Sequence, residues 1–139
     1  MPLASRPVTI GGQTLLDGGI SDSIPIDWFQ KQGYEKNIVI LTQSRGYRKH
    51  PSKMQPLLKR MLKKYPAVVK DMEKRHEVYN KELERLEELK VKGEVLVIQP
   101  SKPVVVSRME KNRDKIWDLY VLGRRDALRQ LDEIRKFIQ

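Results

Sequence analysis

Short apolar blocks separated by glycine and proline dominate the first forty residues of the chain. Apolar and β-branched stretches flank Gly11-Gly12, which predicts a β-hairpin with a two-residue glycine turn. Its second strand, at residues 13–16, has the appearance of a buried strand and leads directly into Asp17-Gly18-Gly19. Glycines after the acid allow a sharp turn with positive φ. The pattern therefore predicts an aspartate presented at the end of a strand.

A short helix and a further strand follow this turn. Pro25 and Gly33 are placed as the first-turn proline and the C-terminal glycine of a helix over residues 25–32. The run from Asn37 to Thr42 is apolar and mostly β-branched, which is typical of a strand buried on both faces in a parallel sheet. Strand, helix and strand together predict a right-handed βαβ unit. We expect Trp28-Phe29 to lie in the core.

Helical periodicity governs the middle of the chain. It predicts a basic helix over residues 54–64 and a longer helix over residues 66–90 that ends at Gly93. The apolar positions expected to face the core are Leu57, Leu58, Met61 and Leu62 in the basic helix, and Val68, Met72, Tyr79, Leu83 and Leu86 in the longer one.

The C-terminal third combines one apolar run with two helical patterns. Residues 94–100 predict a core strand closed by a proline. In the tail from Arg108, a helix over residues 109–122 is expected to break at Gly123, and a second helix follows it. The inward positions are expected to be Ile116, Trp117, Tyr120 and Val121 in the first helix, and Leu128, Leu131, Ile134 and Ile138 in the second.

Strands that alternate with helices predict an α/β fold with a mostly parallel sheet and a helical C-terminal half. The length of 139 residues fits a single domain, residues 1–139. Within it, residues 1–45 would form the βαβ core, residues 46–92 the basic and long helices, and residues 93–139 a strand and two helices. The chain has no cysteine and no run of apolar residues long enough for a signal peptide or a membrane span. We therefore expect a cytoplasmic protein.

The net charge of +10 is concentrated in one stretch. Between Lys36 and Lys70 the chain carries ten Lys and Arg residues and no acid. Such a stretch attracts nucleic acid, an anionic membrane surface or an acidic partner, and it is equally compatible with a solvated positive surface. Nucleic acid is disfavoured because no nucleic-acid-binding fold signature accompanies the charge. The candidate residues for peripheral contact with an anionic membrane are Arg45, Arg48, Lys49, Lys53, Lys59, Arg60, Lys63 and Lys64.

The stretch Asp17-Gly-Gly-Ile-Ser-Asp-Ser-Ile-Pro-Ile26 resembles the catalytic-aspartate motif of patatin-like phospholipases, specifically their bacterial members. A bare Asp-Gly-Gly is common in turns, but here it is joined to the Pro25 helix and the strand after it. Further stretches are similar to one bacterial subgroup: Pro2-Leu-Ala-Ser5, Arg45-Gly-Tyr-Arg-Lys49, Tyr65-Pro66, Arg75 with Tyr79-Asn80, and Ile98-Gln-Pro-Ser101.

The resemblance implies a partial three-layer α/β/α patatin-like fold and hydrolysis of acyl esters in lipids by a Ser–Asp dyad. Asp17 would be the catalytic aspartate, and Gly18 and Gly19 would form its turn. No serine of the chain lies in Gly-x-Ser-x-Gly, and no Gly-rich oxyanion loop is present. We therefore expect the C-terminal part of a longer hydrolase, inactive by itself, which gains a lipid ester substrate only in the full-length protein.

Two other classes of function remain open. The chain could be a non-catalytic basic α/β module that binds nucleic acid or an anionic membrane surface, or a structural remnant that forms a homodimer through an exposed sheet edge. No cofactor and no metal are implied, since His50 and His76 have no ligand-like neighbours in sequence. Asp22 and Asp27 fit helix capping better than catalysis.

Overall fold

The computed structural model describes residues 7–107 and 109–139. Pro2–Ser5 and Arg108, which figure in the sequence analysis, lie outside the described residues. The chain divides into two compact units. The first comprises the described residues through Phe29 together with Arg48–Glu84, and the second comprises Gln30–Tyr47 and Arg85–Gln139. Helices account for about 51% of the described residues, and the strands form small two-stranded sheets, so the fold is mixed α/β as predicted.

The glycine-turn hairpin is confirmed in the first unit. Strand β1 (Val8–Ile10) pairs antiparallel with strand β2 (Gln13–Leu15). Both turn glycines have positive φ, 57° at Gly11 and 77° at Gly12, which is the geometry of the turns that match strand twist. The expectation of burial is wrong, however, because every residue of both strands is exposed.

A 3₁₀ turn (Gly18–Ile20) and helix α1 (Ile26–Lys31) follow the hairpin. Gly33 follows α1 with φ of 90°, as the C-terminal glycine pattern predicts. Ile20, Ile24 and Ile26 are buried, whereas Trp28 and Phe29 are 55% and 41% exposed. The prediction that these two aromatic residues form core is therefore wrong in the structure.

The parallel sheet belongs to the second unit. Strand β3 (Asn37–Ile40) pairs in parallel with strand β4 (Val95–Ile98). Val95, Leu96 and Val97 of β4 are buried. Strand β3 exposes Ile38 and Ile40, so its predicted burial on both faces is wrong. The predicted βαβ unit is also wrong: among the described residues β2 pairs with β1, and β3 pairs with β4.

Two helices connect β3 to β4 along the chain. Helix α2 (Gln55–Met61) is shorter than predicted, and helix α3 (Pro66–Val91) matches its predicted bounds to one residue. Gly93, with φ of 74°, ends α3, and the N–H of Glu94 donates to the carbonyl of Leu89 at 3.0 Å. The buried residues of α3 are Tyr79, Leu86 and Leu89, which continue the predicted apolar face.

The C-terminal helices differ from the prediction at the break between them. Helix α4 (Arg113–Arg129) runs through Gly123, and helix α5 (Leu131–Ile138) begins after Gln130. The start of α4 is set by Asn112, whose side-chain oxygen accepts from Asp114 N at 2.9 Å and Lys115 N at 3.2 Å. The residues predicted to point inward are instead exposed: Ile116, Trp117, Tyr120, Val121, Leu128, Leu131 and Ile138.

Candidate functional site

Asp17 lies two residues beyond β2, and its side chain is exposed. Its Oδ1 accepts a hydrogen bond from the backbone N–H of Gly19 at 2.9 Å, which caps the 3₁₀ turn that follows. The backbone N–H of Ile20 donates to the carbonyl of Asp17 at 3.1 Å. These two bonds hold the carboxylate close to its own turn, in the position at the end of the strand that the sequence predicts.

The two glycines after Asp17 do not have the conformation expected from the sequence. Positive φ occurs at other glycines, but not at Gly18 or Gly19. A Cβ on Gly19 would instead lie 3.2 Å from Asp17 Oδ1 and 3.6 Å from Arg75 Nη2. A side chain at position 19 would therefore crowd the Asp17 carboxylate. The prediction of positive φ is wrong.

A pair of carboxylic acids in the first unit was not found by sequence reasoning. Glu82 on α3 is partly buried and lies beside Asp22. Burial and the neighbouring Asp22 carboxylate raise the pKa of Glu82 to about 7. Its Oε2 is buried and has no hydrogen-bond partner among the described residues. Sixty residues separate the two acids, so no local pattern could have paired them.

The predicted basic residues are only partly brought together. Arg45 falls in the second unit, whereas the other seven candidates fall in the first. Arg48 lies 3.6 Å from Glu84, and Lys59 forms an ion pair with Glu73. The ammonium of Lys49 lies 4.3 Å from the centre of the Tyr79 ring. The exposed cations that remain around α2 are Lys53, Arg60, Lys63 and Lys64.

Residues that carried the resemblance also meet in the first unit. Lys49 N donates to Asn80 Oδ1 at 2.8 Å, and Asn80 Nδ2 donates to the carbonyl of Lys49 at 3.0 Å. This two-bond clamp holds the loop before α2 against α3. The Arg45–Lys49 and Tyr79-Asn80 motifs thus meet at Lys49, which serves as a packing and anchoring residue.

An apolar stripe runs along helix α2 and its N-cap residue Met54. Two of its members, Leu57 and Met61, were expected to face the core. Leu58 is buried, but Met54, Leu57 and Met61 are between 46% and 58% exposed. Positions 54, 57 and 61 share one helical face. We call these three residues the α2 stripe; the cations Lys53, Arg60, Lys63 and Lys64 lie within three positions of its members in sequence.

No group of three or more acids or histidines placed to hold a metal ion occurs in residues 7–107 and 109–139. His76 lies with its Nε2 at 3.9 Å from Glu77, and its Nδ1 is buried without a hydrogen-bond partner among these residues. Nor does any helix of the described chain combine the length and the apolar character needed to cross a membrane.

Comparison with known proteins finds a family match for the C-terminal half of the chain. No curated protein and no solved structure shows significant similarity to the chain. One family model, described as a domain of unknown function (DUF6363), matches residues 65–139. The match begins just before α3 and extends through β4, α4 and α5. Because it covers more than half of the residues, the chain belongs to the DUF6363 family.

Proposed function

We propose that this chain is the aspartate-bearing C-terminal part of a patatin-like serine acyl hydrolase that cleaves lipid esters. Asp17 would act in a Ser–Asp dyad with a serine from a preceding segment, within a three-layer α/β/α fold. The observation that carries the proposal is the placement of Asp17: exposed, beyond the end of a strand, and anchored by Gly19 N at 2.9 Å.

The proposed chemistry needs a carboxylate that reaches a serine hydroxyl. The carboxylate accepts or orients the hydroxyl proton while the serine oxygen attacks the ester carbonyl. In this chain the bond from Gly19 N engages Asp17 Oδ1. This bond holds the carboxylate at the end of the strand, the position from which it would accept the proton of an incoming serine hydroxyl.

The exposure of the parallel sheet supports a larger parent fold. Parallel sheets are normally covered on both faces by helices, and a two-stranded sheet is small for independent stability. Here β3 leaves Ile38 40% and Ile40 74% exposed. Additional strands and helices of a three-layer fold would cover these side chains.

The test is ester hydrolysis by the full-length protein. Asp17→Asn should lower kcat on a short acyl ester by about 10²–10⁴-fold, since the proton-accepting carboxylate is lost. Asp27→Asn is the matched control, because Asp27 is another exposed acid, in the first turn of α1. Activity retained in Asp17→Asn, or lost equally in both variants, would remove Asp17 from the mechanism. The isolated chain should show no turnover.

The alternative is a non-catalytic basic module that binds an anionic membrane surface, and the α2 stripe favours it. Exposed apolar residues flanked by Lys and Arg are typical of segments that lie in the membrane interface. Each cation near such a surface contributes roughly 1 kcal/mol. Lys53, Arg60, Lys63 and Lys64 would contact headgroups while Leu57 and Met61 enter the acyl boundary.

This alternative predicts vesicle binding that depends on charge. The chain should sediment with vesicles of phosphatidylcholine and phosphatidylglycerol, and less with phosphatidylcholine alone. Lys63→Gln with Lys64→Gln should weaken the binding by about tenfold or more, since two contributions of roughly 1 kcal/mol are lost. Lys111→Gln with Lys115→Gln is the control for net charge. Equal binding to both vesicle types at low salt would rule the alternative out.

A further inference from the structure

A cavity of about 300 Å³ opens in the second unit, beyond the carboxyl ends of the two parallel strands. Gln99 and Ser101 follow β4, and Arg45 follows β3 in the turn closed by Tyr47 N and the carbonyl of Ser44. Parallel strands place their carboxyl ends at one edge, and ligands of open α/β sheets bind in the crevice outside that edge. The position and the size, at the lower end of about 300–1,000 Å³ for ligand sites, fit a small molecule.

The residues that line the cavity include two arginines and several uncharged polar residues. Arg45 comes from the turn after β3, and Arg129 comes from the last turn of α4. The uncharged polar residues of the lining are Gln99, Ser101 and Gln130. Two arginines lining one cavity favour an oxyanion, because the planar fork of arginine binds phosphate or carboxylate oxygens in pairs.

The cavity lining also contains a buried carboxylate, that of Asp126. It is the buried charged residue of α4, 4% exposed, and its Oδ2 accepts from Ser101 N at 2.8 Å. Oδ1 is buried and has no hydrogen-bond partner among the described residues; Arg129 Nη1 approaches it only to 3.9 Å. A buried carboxylate oxygen without a donor is costly. A hydrogen-bond donor on a bound ligand would satisfy Asp126 Oδ1.

We propose that this cavity binds a small phosphate ester that carries a free hydroxyl group, of the glycerol phosphate type. Arg45 and Arg129 bind the phosphate oxygens, and the hydroxyl donates to Asp126 Oδ1. Because the side chain of Arg129 is 65% exposed, it can turn from Asp126 toward the phosphate, which opens Oδ1 to the ligand. Two arginines and one aspartate carry a net charge of +1, which complements an anionic ester.

This site goes beyond the proposed function and does not depend on it. Its residues lie in the second unit, whereas Asp17 lies in the first. Loss of ligand binding would leave the hydrolase proposal unaffected, and an inactive Asp17 would leave this site unaffected.

Calorimetric titration of the chain with glycerol 3-phosphate, inorganic phosphate and glycerol tests the proposal. Glycerol 3-phosphate should bind more tightly than phosphate, and glycerol should not bind. Arg45→Gln and Arg129→Gln should each weaken the binding of glycerol 3-phosphate and of phosphate by about tenfold or more. Asp126→Asn should remove only the preference for glycerol 3-phosphate over phosphate. Arg124→Gln, on the same helix outside the cavity lining, is the control.

The variants also separate binding from folding. Asparagine at position 126 keeps an oxygen that can accept from Ser101 N, and circular dichroism checks that α4 is retained. Arg45→Gln and Arg129→Gln alter exposed side chains, so they remain decisive if Asp126→Asn unfolds. Affinity for glycerol 3-phosphate that is equal to that for phosphate, or unchanged in both arginine variants, would overturn the proposal.

A second measurement identifies the source of the ester. If the ligand is a lipid headgroup, binding to phosphatidylglycerol vesicles should fall in Arg129→Gln and be displaced by soluble glycerol 3-phosphate. If it is a free metabolite, vesicle binding should be the same in Arg129→Gln and wild type while the calorimetric affinity is lost. Either result supports the shared chemistry, and the absence of calorimetric binding contradicts it.

Discussion

At the residue scale, the side chains with the most unusual surroundings are carboxylates that meet partners far away in sequence. Glu82 meets Asp22, and Asp126 meets the backbone of Ser101. Asp17, in contrast, is anchored by Gly19 in its own turn. Only the last arrangement is local, and it is the one that a sequence pattern can predict.

Glu82 leads to a prediction about stability and pH. Burial and the Asp22 carboxylate raise its pKa from 4.5 to about 7, and the Asp27 carboxylate acts in the same direction. The folded state therefore binds the proton more tightly than the unfolded state. The ionised Glu82 carboxylate destabilises the folded state. This effect is absent below about pH 4.5, grows as the pH rises, and is complete above pH 7.

Glu82→Gln, which resembles the protonated acid, should therefore stabilise the chain more at pH 8 than at pH 5. We expect a difference of about 1 kcal/mol in the free energy of unfolding, reduced by the partial exposure of the side chain. Urea unfolding at both pH values measures it. Glu87→Gln, an exposed acid of the same helix, is the control. If Glu82→Gln raised the free energy of unfolding equally at pH 5 and pH 8, the raised pKa of Glu82 would be contradicted.

At the scale of elements, helix ends were predictable where a local signal acts alone. Gly33 and Gly93 follow α1 and α3 with positive φ, a conformation that side chains resist and that favours the end of a helix. Gly123 has the same residue type but lies within α4. A glycine inside a helix costs only about 1 kcal/mol relative to alanine, which the turns on either side can offset. A glycine is therefore a signal to stop only when the residues after it do not continue the helix.

The faces of helices were less predictable than their ends. Periodicity correctly placed Tyr79 and Leu86 in the interior, but it placed Trp117 and Tyr120 there as well, and these are 64% and 53% exposed. The same periodicity describes both helices. What differs is whether another element covers the apolar face, and a pattern of residues within one helix contains no information on that.

At the scale of the whole molecule, the parallel sheet has open edges. The part of the chain described by the structure contributes two strands to it, β3 and β4. Unpaired strand edges and exposed apolar residues such as Ile40 invite pairing with another chain. A homodimer through the sheet edge therefore stays a prediction for the chain in isolation.

Light scattering of the isolated chain at increasing concentration tests this prediction. We expect the mass of a dimer, and Ile40→Lys should shift it toward the monomer because a charge at the edge opposes pairing. Val105→Lys is the control, since Val105 is 84% exposed outside any strand. A monomer at all concentrations, or the same shift in both variants, would argue against pairing through this sheet.

The sequence alone was enough to predict the glycine-turn hairpin, the bounds of α3 to one residue, the existence of strands within residues 37–42 and 94–100, and the position of Asp17 beyond a strand. These features follow from backbone preferences and periodicity within a few neighbouring residues. Tertiary structure decided that Glu82 lies beside Asp22, that the α2 stripe is exposed, and that Arg45, Ser101 and Asp126 line one cavity. These outcomes depend on which elements pack against each other. Ser101 and Asp126 are 25 positions apart and Arg45 and Asp126 are 81 apart, so no pattern of neighbouring residues predicts that they line the same cavity.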